Sequence, residues 1–504
     1  MLFRSFFNSY KPVRLRIAAT ASLMTSLLCL QGCTVGPKYV RPNVQAPPAF
    51  KESAPQQSAD GTLWKPVNPQ DATLRSNWWE IYQEPELNAL EDKLNHSNQN
   101  IAQSYQNFMA ARAQVRQARA SYSPTVTTTP AYTRSRTSAS QLGGAAGSTN
   151  LNSNEFDLPF DVSWEPDVWG RIRNTVREYA NAAQASAADL ANERLTEQAN
   201  LAVDYFELRG QDSQIDLYQK TIEAYRRSLE LTRTLGSTGI DSEQAVAQAE
   251  TNLKTAEAAA TNLGISRAQY EHAIALLIGE PASTFSLPHH PLTTDLPAVP
   301  IGLPSDLLQR RPDIAEAERT MSQANALIGV ETAAFYPSFS ITANGGFESP
   351  NIGSWLTWPS RFFSIGPSAS ETLFDAGLRR ATMAQYTAQY NADVAAYRQT
   401  VLTAFQQTED YIATERILGQ QMQQQNDAIA AAQHYLDLEN IRYKTGVDPY
   451  LDVATAETSL LTNQQTEVTL RIQQMTSNVQ LIEALGGGWD VSQLPSTKSV
   501  GAKK

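Results

Sequence analysis

Five histidines, two cysteines and a scatter of carboxylates are what this chain offers for chemistry. Their spacing suits neither a metal centre nor a catalytic pair. His96, His272 and His434 fall in helical stretches, and His289-His290 sits between Pro288 and Pro291. No Gly-rich phosphate loop is present, and Glu316-Ala317-Glu318 reads as solvated helix surface. The sequence therefore predicts no enzyme and no cofactor. One residue stands apart. Cys33 closes Leu30-Gln31-Gly32-Cys33, a lipobox pattern with Leu three positions before the cysteine and Gly just before it. Ahead of it lie a basic region (Arg4, Lys11, Arg14, Arg16) and a short apolar run from Ile17 to Leu30, the order of an export signal. Cleavage before Cys33 removes Cys29 and leaves one thiol to carry lipid, with Thr34 after it favouring the outer membrane. An ordinary signal with Cys33 left as a free thiol is the alternative.

The net charge is −11, and losing four basic residues with the signal takes it to −15. That argues against a nucleic-acid partner, which needs clustered Lys and Arg. No later segment reaches the roughly 18 apolar residues of a membrane-spanning helix, so entry into a bilayer requires a β-barrel.

The clearest strand supports that route. Phe156, Leu158, Phe160, Val162 and Trp164 alternate with Asp157, Asp161 and Glu165, giving one apolar and one acidic face. Phe339, Ile341, Ala343 and Phe347 alternate with Ser338, Ser340, Thr342 and Asn344 in the second half. A strand region to Arg136 and a weaker one from Arg361 to Phe374 complete two hairpins, which is too few for a barrel, since about eight strands are the minimum. Several copies must share one barrel, and a trimer supplies twelve strands. Asp157, Asp161 and Glu165 would line a wet pore, favouring cations or simply keeping the wall soluble. Trp164, Trp169, Trp355 and Trp358 lie near strand ends, as interfacial girdles or as core packing.

The strands are separated by very long helices. From Ile172 to Leu235 there is no Pro, and Leu201, Leu208, Ile215, Ile222 and Leu229 recur every seven residues. Arg379 to Lys444 is the counterpart, and the half-length stretches 86–120 and 241–278 match a long helix when stacked in pairs. An isolated coiled-coil rod would leave the strands unexplained. The halves repeat: Ser237-Thr238-Gly239-Ile240-Asp241 is answered 207 positions later by Lys444-Thr445-Gly446-Val447-Asp448.

Together with Gly32-Cys33-Thr34-Val35-Gly36-Pro37-Lys38-Tyr39 and Arg41-Pro42, three further runs carry a resemblance. They are Gly302-Leu303-Pro304-Ser305-Asp306-Leu307-Leu308-Gln309-Arg310-Arg311-Pro312-Asp313-Ile314, Arg442 to Asp448, and Leu485-Gly486-Gly487-Gly488-Trp489. The chain resembles the TolC-like outer-membrane efflux protein family, in its OprM/NodT branch of lipoproteins serving resistance-nodulation-division (RND) pumps. The resemblance implies a mainly α fold with a membrane β part: a trimeric, internally duplicated assembly whose 12-stranded outer-membrane β-barrel continues as a 12-helix periplasmic α-barrel. It divides the chain into a signal (1–32), a lipid-anchored arm and equatorial segment (33–80), a first repeat (81–285), an equatorial linker (286–303), a second repeat (304–486) and an equatorial tail (487–504). Implied partners are a periplasmic adaptor, an inner-membrane RND pump and outer-membrane lipid; a duct for type I protein secretion shares the architecture, and a non-conducting lipid-anchored spacer is a third possibility. The functional end is the periplasmic tip, where Gly239 and Gly446 permit tight reversals. The family's aperture residues carry over by position to Tyr443, Leu451 and Thr455. Thr455 departs from the family's Asp, so Asp448 or Asp452 is the acidic candidate, with Asp448 also a candidate helix N-cap.

Overall fold

The computed structural model describes residues 34–52, 77–138 and 152–502. Cys33, the export signal and most of the 137–153 loop lie outside them.

The first half opens with α1 (Pro85–Ser97) and α2 (Gln99–Ala120). Three strands follow, β1 (Thr125–Thr128), β2 (Ala131–Arg136) and β3 (Asn152–Trp164). Then come α3 (Arg171–Ser237, 67 residues) and α4 (Glu243–Leu277, 35 residues). The second half answers with α5 (Leu307–Arg310), α6 (Pro312–Ala333), β4 (Ser338–Ser349) and β5 (Arg361–Ser370). It ends in α7 (Leu378–Lys444, 67 residues) and α8 (Tyr450–Ala484, 35 residues). At 1.5 Å per residue the two long helices each span about 100 Å.

The expected 86–120 helix is two helices, because Asn98 adopts an extended conformation and caps α2 by accepting from the Ile101 amide at 3.0 Å. That break is where the half-length helices stack. Asn98 Nδ2 donates to the Leu277 carbonyl at 2.9 Å and Ser97 Oγ to that of Ile278 at 2.6 Å, joining the end of α4 to the start of α2. The second half makes the same joint with Arg311, whose guanidinium reaches the Ala484 carbonyl at 3.0 Å, Gln407 at 3.0 Å and Asp313 at 2.7 Å. One arginine thus ties α6, α7 and α8 together. Gly486 (φ +95°) lies against this joint, and a β-carbon there would stand 2.1 Å from the Arg310 carbonyl oxygen. Gly210, in the middle of α3, lets α8 approach, since its β-carbon would meet Ile472 at 2.3 Å.

Beside these joints sits the largest apolar cluster, built on Trp78, Trp79, Tyr82, Tyr205 and Phe206. Asp212 is fully buried there and holds Arg267 Nε at 2.7 Å, Arg209 at 3.1 Å and His289 Nδ1 at 3.0 Å. His289 is therefore a structural residue clamping the 286–303 segment onto α3. The arm behind Cys33 runs along the helices: Val35 N donates to the Trp169 carbonyl at 3.0 Å, and Tyr39 Oη to Glu318 at 2.6 Å.

The strands form one antiparallel sheet in the order β1/β2, β3, β4, β5. The first stave is divided at Thr129-Pro130, since proline cannot donate to a ladder. The last strand stops at Ser370 rather than Phe374. Among the described residues no helix is long and apolar enough to cross a membrane.

Candidate functional site at the hairpin tips and the sheet

Both long hairpins turn by the same device. Gly446 (φ +74°) follows α7, with Val447 N donating to the Arg442 carbonyl and Gly446 N to that of Tyr443, each at 2.9 Å. Gly239 (φ +79°) follows α3, with Ile240 N donating to the Leu235 carbonyl at 3.0 Å and Gly239 N to that of Gly236 at 3.1 Å. These paired bonds, closing on a left-handed glycine, are the Schellman arrangement.

Tyr443 is buried, and its hydroxyl crosses from α7 to the other hairpin. It meets Asp241 Oδ2 at 2.5 Å and Thr232 Oγ1 at 3.1 Å. Burial first, then the bond to Asp241, pushes the phenol up to about 12, so it stays protonated at neutral pH. Its ring lies 5.7 Å from that of Tyr450, in an apolar cluster with Tyr225, Leu229 and Val453 that packs the two hairpins together. Within the cluster Tyr450 Oη donates to Glu457 at 3.3 Å. Burial pushes the Glu457 carboxyl up to about 7, opposed by bonds from Ser228 and Tyr450.

The acidic candidates fall elsewhere. Asp448 is not the N-cap of α8: that position is Pro449, which supplies no side-chain bond. Asp448 instead takes a bidentate pair from the Nε and Nη2 edge of Arg442, and the Arg442 bond holds it below the usual carboxylate range. Asp448, Asp452 and Glu439 bring one carboxylate oxygen each within 4.8 Å of one another. Leu451 is exposed, and Thr455 Oγ1 is spent on the Leu451 carbonyl of its own helix at 2.8 Å. The Tyr443 partners Asp241 and Thr232 and the buried Glu457 are not marked by any local motif in the sequence. The aligned repeat placed Asp241 opposite Asp448, and that equivalence was the available signal.

In the sheet, register sorts the side chains. Val126, Val162, Ala343 and Ile365 lie in one row, and Phe160, Gly345 and Phe363 in the next, so the apolar face is continuous. Phe363 and Ile365 are 82% and 72% exposed in the single chain. The opposite face carries Asp157 across from Glu348, and Asp161 accepting from Asn344 Nδ2. Glu165 lies beyond the end of β3, where Arg171 grips it at 2.7 and 3.0 Å, so it is a junction residue rather than a strand residue. Trp164 and Trp169 mark the helix-proximal end, bonding the Tyr122 carbonyl at 3.0 Å and the Pro337 carbonyl at 2.8 Å. Trp355 and Trp358 mark the distal end.

Known proteins resemble this chain in sequence and in overall fold. The chain is 32% identical over 475 residues to the toluene efflux pump outer membrane protein TtgC of Pseudomonas putida, covering 93% of this chain and 95% of that one. It is 28% identical over 476 residues to the cation efflux system protein CusC of Escherichia coli, covering 92% and 97%. The solved outer-membrane channel OprN superposes with a TM-score of 0.82 at 27% identity, over 91% of this chain and all of that one. The profile described as Outer membrane efflux protein matches residues 90–280 and 303–487, and the chain belongs to that family of outer-membrane channel proteins.

Proposed function

We propose that this chain is the outer-membrane exit channel of a tripartite RND-type efflux pump, passing small molecules delivered by an inner-membrane pump and a periplasmic adaptor. The observation that carries the reading is the sheet. It has an apolar face, an acidic face and two unpaired edges, β1/β2 and β5, and its staves continue directly into helices of 67 residues. A sheet with open edges and one wet face is unstable alone in lipid. Three copies joined edge to edge make twelve staves with the apolar face toward lipid and Asp157 and Asp161 toward water. The two matching halves of each chain, read as an internal duplication, give the trimer near-sixfold symmetry. Cys33 immediately precedes Thr34, which packs against Gly170 at the strand–helix junction, so a lipid on it would reach the inner leaflet.

At the other end, the Tyr443–Asp241/Thr232 link holds the two hairpins of a chain together, and we assign it as the latch of the periplasmic gate. Asp448 and Asp452 form an acidic patch beside it, tempered by Arg442, and Leu451 is free for a neighbouring copy. The adaptor engages these tips. The deciding experiment compares accumulation of a fluorescent dye panel in cells with and without the gene, alongside the secreted-protein profile. Dye build-up with an unchanged secretome is expected. Normal dye levels with a missing secreted protein would replace efflux by type I secretion.

A further inference from the structure

The sheet partitions charge between its faces. Glu155, Asp157, Asp161 and Glu348 share the wet face with Thr133, Ser135 and Asn344. Among the described residues the apolar face carries no carboxylate, yet it carries arginines. Tyr132, Arg134 and Arg136 stand opposite Phe156, Asn154 and Asn152 on that face, and Arg361 stands opposite Phe347. All three arginines lie at the end of the sheet away from the helices.

Arg134 and Arg136 are exposed, and neither has an ion-pair or hydrogen-bond partner among the described residues. No Asp or Glu occurs in the sequence between Asp92 and Glu155, so no acid of their own stave neutralises them. Directly beneath them is an aromatic row. Tyr132 packs on Phe156 at 4.7 Å between ring centres, and Phe156 on Trp355 at 5.8 Å. Arg361 stacks over Trp358, its guanidinium carbon 3.7 Å from the ring centre, and Trp358 is 73% exposed. Successive same-face residues are about 7 Å apart along a strand. Arg134 and Arg136 therefore sit about one and two steps beyond the aromatic row, at headgroup depth, if that row lies at the edge of the hydrocarbon.

A guanidinium at headgroup depth can reach water, but it gains most from an anionic partner, and it pairs best with phosphate. Resting on the barrel reading above, the geometry points to a binding site for a phosphorylated glycolipid headgroup of the outer leaflet. Arg134 and Arg136 grip the phosphates, Asn152 and Asn154 flank them with amides, and Tyr132, Phe156 and Trp355 support the acyl chains. The lumen acids, on the other face, are screened from this site by the strand itself. The site would anchor the rim of the barrel in a leaflet of densely phosphorylated lipid.

The test is native mass spectrometry of the full-length protein in detergent. The probes are bis-phosphorylated lipid A, its dephosphorylated form and phosphatidylglycerol. Wild type is compared with Arg134→Gln/Arg136→Gln and with a control losing the same charge at the tip, Arg226→Gln/Arg233→Gln. Wild type and control should retain bis-phosphorylated lipid A at least ~10-fold better than either other lipid, and the sheet variant should lose that preference by ~10-fold, the scale of charge-assisted bonds. Millimolar inorganic phosphate should leave the complex intact. Equal retention by the sheet variant, equal retention of dephosphorylated lipid, or displacement by inorganic phosphate would overturn the site. Conductance of each variant in bilayers free of lipid A reports separately whether the barrel itself forms.

Discussion

At the scale of single residues, the tip is held by groups whose protonation matters. Tyr443 stays a donor across the physiological range because burial keeps its phenol high, so the bond to Asp241 is made by a neutral hydroxyl. Glu457 behaves differently. Its carboxyl is pushed up to about 7 from an ordinary 4.5, so the folded tip prefers it protonated. Its contribution is fully present below about pH 4.5 and is lost as pH rises through 7, because the unfolded chain releases the proton first. Glu457→Gln should remove that loss, raising tip stability at pH 8 by up to about 3 kcal/mol, the value of a shift of this size. Hydrogen exchange of the 443–460 amides at pH 5 and pH 8 checks it: the variant should be protected equally at both, the wild type less at pH 8. Identical wild-type and variant profiles would contradict the assignment. Of these residues the sequence exposed Tyr443 through its family position, but not Asp241 or Glu457. A carboxylate in a polar-looking helix shows its burial only when a second hairpin packs over it, and that contact joins residues more than two hundred apart in the chain.

Elements divide the glycines into two kinds. Gly239 and Gly446 have positive φ but open space around the missing β-carbon, so a substitution meets only backbone strain. Gly486 has positive φ and a carbonyl oxygen in the place a β-carbon would take. Gly446→Ala should cost about 1 kcal/mol and leave folding intact. Gly486→Ala should break the α6–α8 joint and abolish assembled protein. Yields of assembled complex on unheated gels separate the two outcomes, and equal yields would refute the distinction. The long helices were legible because an absence of proline, sparse glycine and heptad spacing are local signals. The Asn98 break was not, since its cause is a cap and a stacking partner at Leu277. Asp448 does not cap α8 because the helix begins at Tyr450 with Pro449 in the N-cap position, one residue later than the sequence suggests, and the carboxylate is free to pair with Arg442. Alternation revealed the faces of β3 and β4, while the split of the first stave follows from Pro130.

For the whole molecule, we propose that several copies close one water-filled pore whose wall carries Asp157 and Asp161 and whose periplasmic end is latched by Tyr443 and Asp241. Alternation and the two-hairpin count already demanded more than one copy, because four staves cannot enclose a lumen. The Tyr443–Asp241 bond is not legible in the sequence because it spans the two halves of the chain. The direct measurement is planar-bilayer conductance of the purified protein, wild type against Tyr443→Phe/Asp241→Ala, with and without Asp157→Asn/Asp161→Asn. Wild type should show small, infrequent openings, the latch variant a sustained and several-fold larger conductance, and neutralising the strand acids should weaken any cation preference. A latch variant that conducts no more than wild type would contradict the gate, and the absence of any conductance in both would contradict the pore itself.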